Sequence, residues 1–219
     1  MIYCIYNMKR NSDTGELEMS EFNTHLYSGR AYSSEETISF SNSPHTHFAD
    51  VDKEMQFHQN VSHVQVSNLT QAEFDKFVLE YGDNFKSIYF FQNTLVRDLS
   101  ALEKLKNVEY LLFYNMRTAK SLWNMSNNHS LKGIFISASK KMCYNLSSLP
   151  DAPSLEEVLL FSTMDRKYTI KSLDPLKNCK NLKRVMLECN TEDHMFIPED
   201  FLHLEVLKYR VDKHRNYNY

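Results

Sequence analysis

Glycine is scarce in this chain, with four in 219 residues, at positions 15, 29, 82 and 133. None stands in a run that could cradle a phosphate, so neither a Walker loop nor a dinucleotide-binding turn is present. The four cysteines, Cys4, Cys143, Cys179 and Cys189, form no C-x-x-C pair and keep no regular spacing. That leaves out a disulfide framework and a zinc site, and predicts reduced, mostly buried thiols. Neither charge sign is in excess: 25 Lys and Arg stand against 28 Asp and Glu, a formal charge of −3. The electrostatic footprint of a nucleic-acid binder is therefore missing. No apolar run approaches the roughly 18 residues of a membrane span. In the opening MIYCIYNMKR the cationic pair follows a very short apolar run, the wrong order for a secretory signal. A cytoplasmic protein is expected. No G-x-S-x-G, no H-E-x-x-H and no nucleophile–base arrangement is found.

What is there is a repeated phrase, apolar-x-x-apolar-x-apolar. It reads Val61-Val64-Val66, Phe85-Ile88-Phe90, Val108-Leu111-Phe113, Leu131-Ile134-Ile136, Leu155-Val158-Leu160, Leu182-Val185-Leu187 and Leu204-Leu207-Tyr209. Successive starts lie 24, 23, 23, 24, 27 and 22 residues apart. A period of 20–29 residues built on L-x-x-L-x-L resembles the leucine-rich repeats. The uneven lengths are closer to the irregular bacterial type than to the strictly regular ribonuclease-inhibitor type. The resemblance implies an α/β solenoid, a right-handed superhelix with parallel strands on its concave face and helical or 3₁₀ returns outside. It also implies a recognition scaffold, since the family mostly binds other proteins. Asparagine often follows the strand in this family; here Asn93 and Asn190 do, whereas Ser139 and Thr163 take its place.

The returns carry helix signals of their own. Thr70-x-x-Glu73 is a capping box ahead of Phe74, Phe77, Val78 and Tyr81 at helical spacing. Ser100-x-x-Glu103 repeats the device, with Leu99, Leu102 and Leu105 turned inward. Asp174-Pro175 places a capping carboxylate before a proline. Two prolines between Ser147 and Ser154 predict an extended or 3₁₀ return. The organisation expected is an N-terminal β-rich cap over residues 1–60, an array of about seven repeats over 61–209, and a polar tail over 210–219. The cap covers the apolar edge that a stacked array otherwise leaves open.

Alternate residues of a strand share a face, so positions four and six point into the core and positions five and seven point away. The outward rows bring Tyr89, Phe91, Leu112, Tyr114, Phe135, Leu159, Phe161 and Met186 side by side. Gln65 and Ser67 flank them at one end, and Glu188, Lys208 and Arg210 at the other. An apolar stripe with a polar rim has the composition of an interaction hot spot, and its expected centre is Phe91, Tyr114, Phe135 and Phe161. The competing expectation is that residues 1–60, the tail or a second copy of the chain covers the same stripe. On this register a charge at Ile134 unfolds the array and a charge at Phe135 is tolerated.

The expected function is thus non-catalytic recognition of a protein partner, in its narrower form neutralisation of a toxin, by a monomer or homodimer without cofactor, metal, nucleic acid or membrane. A secreted or injected effector is a further variant. The rival is a metal-dependent enzyme around His45 and His47, with Asp50 and Asp52 nearby, for which spacing supplies no third and fourth ligand. Cys189, just past its strand, is expected to be weakly reactive.

Overall fold

The computed structural model describes residues 8–10, 17–19, 37–41, 62–162, 168–193 and 197–213. His45, His47, Asp50, Asp52, Thr163 and the final residues 214–219 lie outside the described residues. The fold is α/β, with a mostly parallel sheet and few helices. Strands β1 (Met8–Arg10) and β2 (Leu17–Met19) form an antiparallel pair. A larger sheet contains β3 (Thr37–Ser41), β4 (His63–Ser67), β5 (Ser87–Phe91), β6 (Tyr110–Tyr114), β7 (Gly133–Ser137), β8 (Glu157–Phe161), β10 (Arg184–Thr191) and β11 (Val206–Lys213), laid side by side in chain order. The short β9 (Thr169–Ile170) pairs with the far end of β10. All pairings within this sheet are parallel.

The register reproduces the phrase. Val64, Ile88, Leu111, Ile134, Val158, Val185 and Leu207 are direct cross-strand partners in succession, so position four forms one continuous row. Strand β3 joins it in the same register, with Ile38 beside Val64 and Phe40 beside Val66. Among the described residues the sheet thus begins one strand before Val61. Ile38 and Phe40 mark a short strand in the sequence, but its membership of the series is hidden because Glu35 stands where the phrase needs an apolar first residue.

Helix α1 (Gln71–Tyr81) starts on its capping box: the Thr70 side chain accepts from the Glu73 N–H, and the Glu73 carboxylate accepts from the Thr70 N–H at 2.8 Å. Its buried face, Phe74, Phe77 and Val78, packs on the sheet, with the Phe74 ring 5.1 Å from Phe90 and the Phe77 ring 6.0 Å from Phe85. Other returns are tighter. Ser100–Lys104 is 3₁₀ and carries no side-chain cap from Ser100; Asp98 accepts the Ser100 N–H at 2.9 Å instead. Leu99, Leu102 and Leu105 do turn inward. In α2 (Asp174–Lys177), Asp174 is the first helical residue rather than the cap, and Ser172 Oγ accepts its N–H at 3.2 Å. Leu149–Asp151 is 3₁₀, with Pro150 in its first turn, one of the two forms expected of this return.

Two devices lock neighbouring repeats. At position two, the carbonyls of Ser62, Lys86, Glu109, Lys132 and Glu156 each accept two successive N–H groups of the next repeat, at 2.8–3.2 Å. The side chains at the same position alternate in sign: Lys86, Glu109, Lys132, Glu156, Lys183, Glu205. Lys132 meets Glu109 at 2.7 Å and Lys183 meets Glu156 at 2.9 Å. Such half-exposed pairs stabilise by only ~0–1 kcal/mol each, but a one-residue slip would lose them all. At the strand exits Asn68, Gln92, Asn115 and Ala138 adopt φ of 58°, 55°, 61° and 54°. This left-handed step turns the chain out of the sheet. The asparagine position is filled in part by substitution. Asn93 accepts the Leu69 N–H at 2.7 Å and donates to the Val66 carbonyl at 2.9 Å. Ser139 accepts the Met116 N–H at 2.9 Å, the same task in a shorter side chain.

Candidate functional site

The strands place the residues of the outward rows together in the order expected. Tyr89, Leu112, Phe135, Leu159 and Met186 occupy consecutive cross-strand positions, followed by Lys208. Beside them run Phe91, Tyr114, Ser137, Phe161, Glu188 and Arg210. Within the second row the rings of Phe91 and Tyr114 stack at 5.2 Å, and between the rows Phe135 and Phe161 lie 5.8 Å apart.

This face is not an open trough. Leu112, Phe135 and Leu159 are 1%, 1% and 0% exposed, and Tyr89 and Met186 are buried with them. A side chain standing on the bare side of a sheet keeps its tip in water, so these residues belong to a second core on the far side of the sheet from the first. Position seven differs. Phe91, Tyr114 and Phe161 are only half-buried against that core. Glu188 is half-buried as well, and Lys208 is exposed. Between β8, β10 and β11 an open cleft of about 260 Å³ is lined by Phe161, Met186, Leu187, Glu188, Lys208 and Tyr209. Among the described residues of this face, accessible aromatic surface therefore narrows to one row and one cleft.

Position three shares this face and was overlooked in the pattern. It contributes His63, Ser87, Tyr110, Gly133, Glu157 and Arg184. The β4 end of the face is polar and closed, with His63, Gln65, Ser67 and Ser87 all buried. At the other end Glu157, 1% exposed, forms an ion pair with Arg184, which also reaches Glu205 at 3.7 Å. A buried carboxylate needs such a partner.

Chemistry is sparse among the described residues. They hold no group of three His, Cys, Asp or Glu side chains spaced for a metal ion. No helix among them is long and apolar enough to cross a membrane. Cys143, Cys179 and Cys189 are buried. Burial, the larger cause, and the nearby Asp151 charge push the Cys179 thiol up to about 12. Burial also pushes Cys143 upward, against a hydrogen bond with Tyr168 that acts the other way. Both stay protonated near neutrality, which is the opposite of an activated nucleophile. Cys189, expected just past its strand, lies within β10 and packs in the first core. The chain matches no protein-family model and no curated protein.

Proposed function

We propose that the chain is a leucine-rich-repeat solenoid and a non-catalytic binding module that grips a protein partner along its position-seven row and the adjoining cleft. One observation carries this. Phe91, Tyr114 and Phe161 stay half-accessible in a line where their position-five neighbours are buried. Rigid aromatic rings offer large contact area at low entropic cost, and the charged end at Glu188 and Lys208 suits orientation of an approaching partner. Phe135 drops out of the interface because it is interior. The narrower form is neutralisation of a toxin, the partner being an enzyme that the chain blocks by covering it.

The test is affinity capture from the native cell with mass spectrometry, followed by titration of the captured partner. Alanine at Phe91, Tyr114 or Phe161 should weaken binding by roughly 1–3 kcal/mol, mainly through faster dissociation. Exchanging Lys208 for glutamate should alter the association rate and its salt dependence. A partner bound equally well by the triple alanine variant would move the interface elsewhere. For the narrower form, co-expression should rescue cells from the partner's toxicity; a partner harmless on its own would end it.

A further inference from the structure

Charge is spread unevenly along the array. From Tyr110 to Pro150 the chain carries five cations, Arg117, Lys120, Lys132, Lys140 and Lys141, and not one Asp or Glu, although its formal charge as a whole is −3. Lys132 stands at a strand entry, where it meets Glu109 at 2.7 Å. The other four follow the exits of β6 and β7, just past the position-seven residues Tyr114 and Ser137, and all four are exposed. The register of the repeats gathers them. The Met116 N–H donates to Ser139 Oγ at 2.9 Å, which sets Arg117 level with Lys140 on the neighbouring turn. The Lys120 N–H donates to the Arg97 carbonyl at 3.2 Å, which adds the exposed Arg97 alongside. Arg117 Nε donates to Asn115 Oδ1 at 2.6 Å, so its guanidinium is tied to the residue that follows Tyr114. Among the described residues, Arg97 and these four form no ion pair. Gathered charges of one sign repel and do nothing for the fold. Anions mark the margins of the patch. Asp98 follows Arg97 on one side, and on the other the Tyr144 hydroxyl, three residues past Lys141, donates to Glu192 at 2.8 Å.

We infer that this basic rim receives a compact cluster of carboxylates, so that the partner gripped by the aromatic row is a protein with an acidic surface. The inference rests on the binding row proposed above and names the chemistry that lies beside it. Strands sit ~4.8 Å apart, so the exits of three neighbouring strands span roughly 10 Å, the breadth of a few carboxylates. Phe91 and Tyr114, stacked on β5 and β6, end the same strands whose exits carry the cations. A partner seated on the rings therefore brings its adjoining surface onto the rim. The rings supply contact area, and the cations steer approach and fix orientation. Arg117 can meet a carboxylate with two parallel hydrogen bonds, while the lysines act as point charges. A single-stranded nucleic acid fits less well. It needs a cationic track that follows its backbone. Here the track is cut off at Asp98 and at Glu192, where a continuing phosphate chain would meet its own sign. A discrete acidic cluster fits between those two margins.

Fluorescence anisotropy of labelled hexaglutamate with the full chain at low ionic strength should show saturable binding that weakens as salt is added. Lys140→Glu with Lys141→Glu should raise the dissociation constant roughly tenfold or more at an unchanged melting temperature. Lys104→Glu with Lys106→Glu changes the net charge equally at an exposed return and should leave binding as it was. If the first pair fails to fold, Arg117→Glu with Lys120→Glu replaces it. Absence of hexaglutamate binding overturns the inference. Equal weakening by both lysine pairs overturns it too, by reducing the effect to net charge. Labelled hexathymidylate bound more tightly than hexaglutamate overturns it in favour of a nucleic acid. With the captured partner, Phe91→Ala plus Tyr114→Ala separates this inference from the reading beneath it. A partner released by those alanines but indifferent to the exchange at Lys140 and Lys141 keeps the row and overturns the acidic cluster. One released only by the charge exchange keeps the acidic cluster and overturns the row.

Discussion

Ala138 sits at a φ of 54°, a conformation that places its Cβ against its own carbonyl oxygen. Asn68 and Asn115 at equivalent positions tolerate this, since asparagine visits the left-handed region more readily than other side chains. Gln92 and Ala138 do not share that tolerance, yet the turn out of the strand imposes it on them. Ala138→Gly should therefore raise stability by about 0.5–1 kcal/mol, the relief of backbone strain less the added freedom of the unfolded chain. A urea midpoint that fails to rise would show that Ala138 is unstrained. The sequence offers little warning of these turns, because two of the four residues are types with no turn preference. Asn93 and Ser139 teach the converse. A side chain unlike the expected asparagine still reaches the neighbouring N–H, so the bond survives a change of residue that the pattern treats as a break.

Among the elements, the strands were the most legible. Columns four and six lie where the repeated phrase puts them, because a buried column demands an apolar residue at every turn of the chain. The outward rows were legible in membership but not in environment. Alternation tells which side of a strand a residue stands on, and says nothing of what lies over that side. A second signal was present in the continuous apolar runs Tyr110-Leu111-Leu112-Phe113-Tyr114 and Val158-Leu159-Leu160-Phe161. Parallel strands buried on both faces read in this way. Phe135, expected to accept a charge, is 1% exposed. Phe135→Asp should consequently destabilise the fold as severely as Ile134→Asp, each placing an unpartnered carboxylate in a closed core. Tyr114→Asp, on the half-buried row, should cost far less. Thermal melts of the three variants check this, and a Phe135→Asp protein melting like wild type would reopen the face. The β3 strand is legible as a short strand in Ile38 and Phe40, but its place in the parallel array is not, since its first position is charged and only strand pairing reveals it.

For the molecule as a whole, buried protonated thiols set the alkaline limit. The folded-state value of Cys179 is raised from 9.0 to about 12, and burial raises Cys143 and Tyr168 as well. Below pH 9 these groups hold their protons in both states and contribute their full stability. Above it the unfolded chain releases protons that the folded chain retains, so stability falls from pH 9 upward through the folded-state value of Cys179. Urea midpoints should begin to fall above pH 9, with a shallower slope in Cys179→Ala. An identical slope in that variant would place the alkaline loss elsewhere.

The strands of the large sheet lie in chain order, each held to the next by a parallel ladder, with a doubly used carbonyl at the five junctions from β4 to β10. Under tension between the ends of the large sheet, no strand among the described residues is clamped by a sequence-distant neighbour. Load reaches the outermost strand first, and its bonds open one after another like a zip instead of shearing together. Each strand that gives way releases the spacing of one repeat, typically 23 residues, or roughly 80 Å of extended chain. The molecule is thus a mechanically soft spring, able to lengthen in steps and to rewind from whichever strands remain as a template.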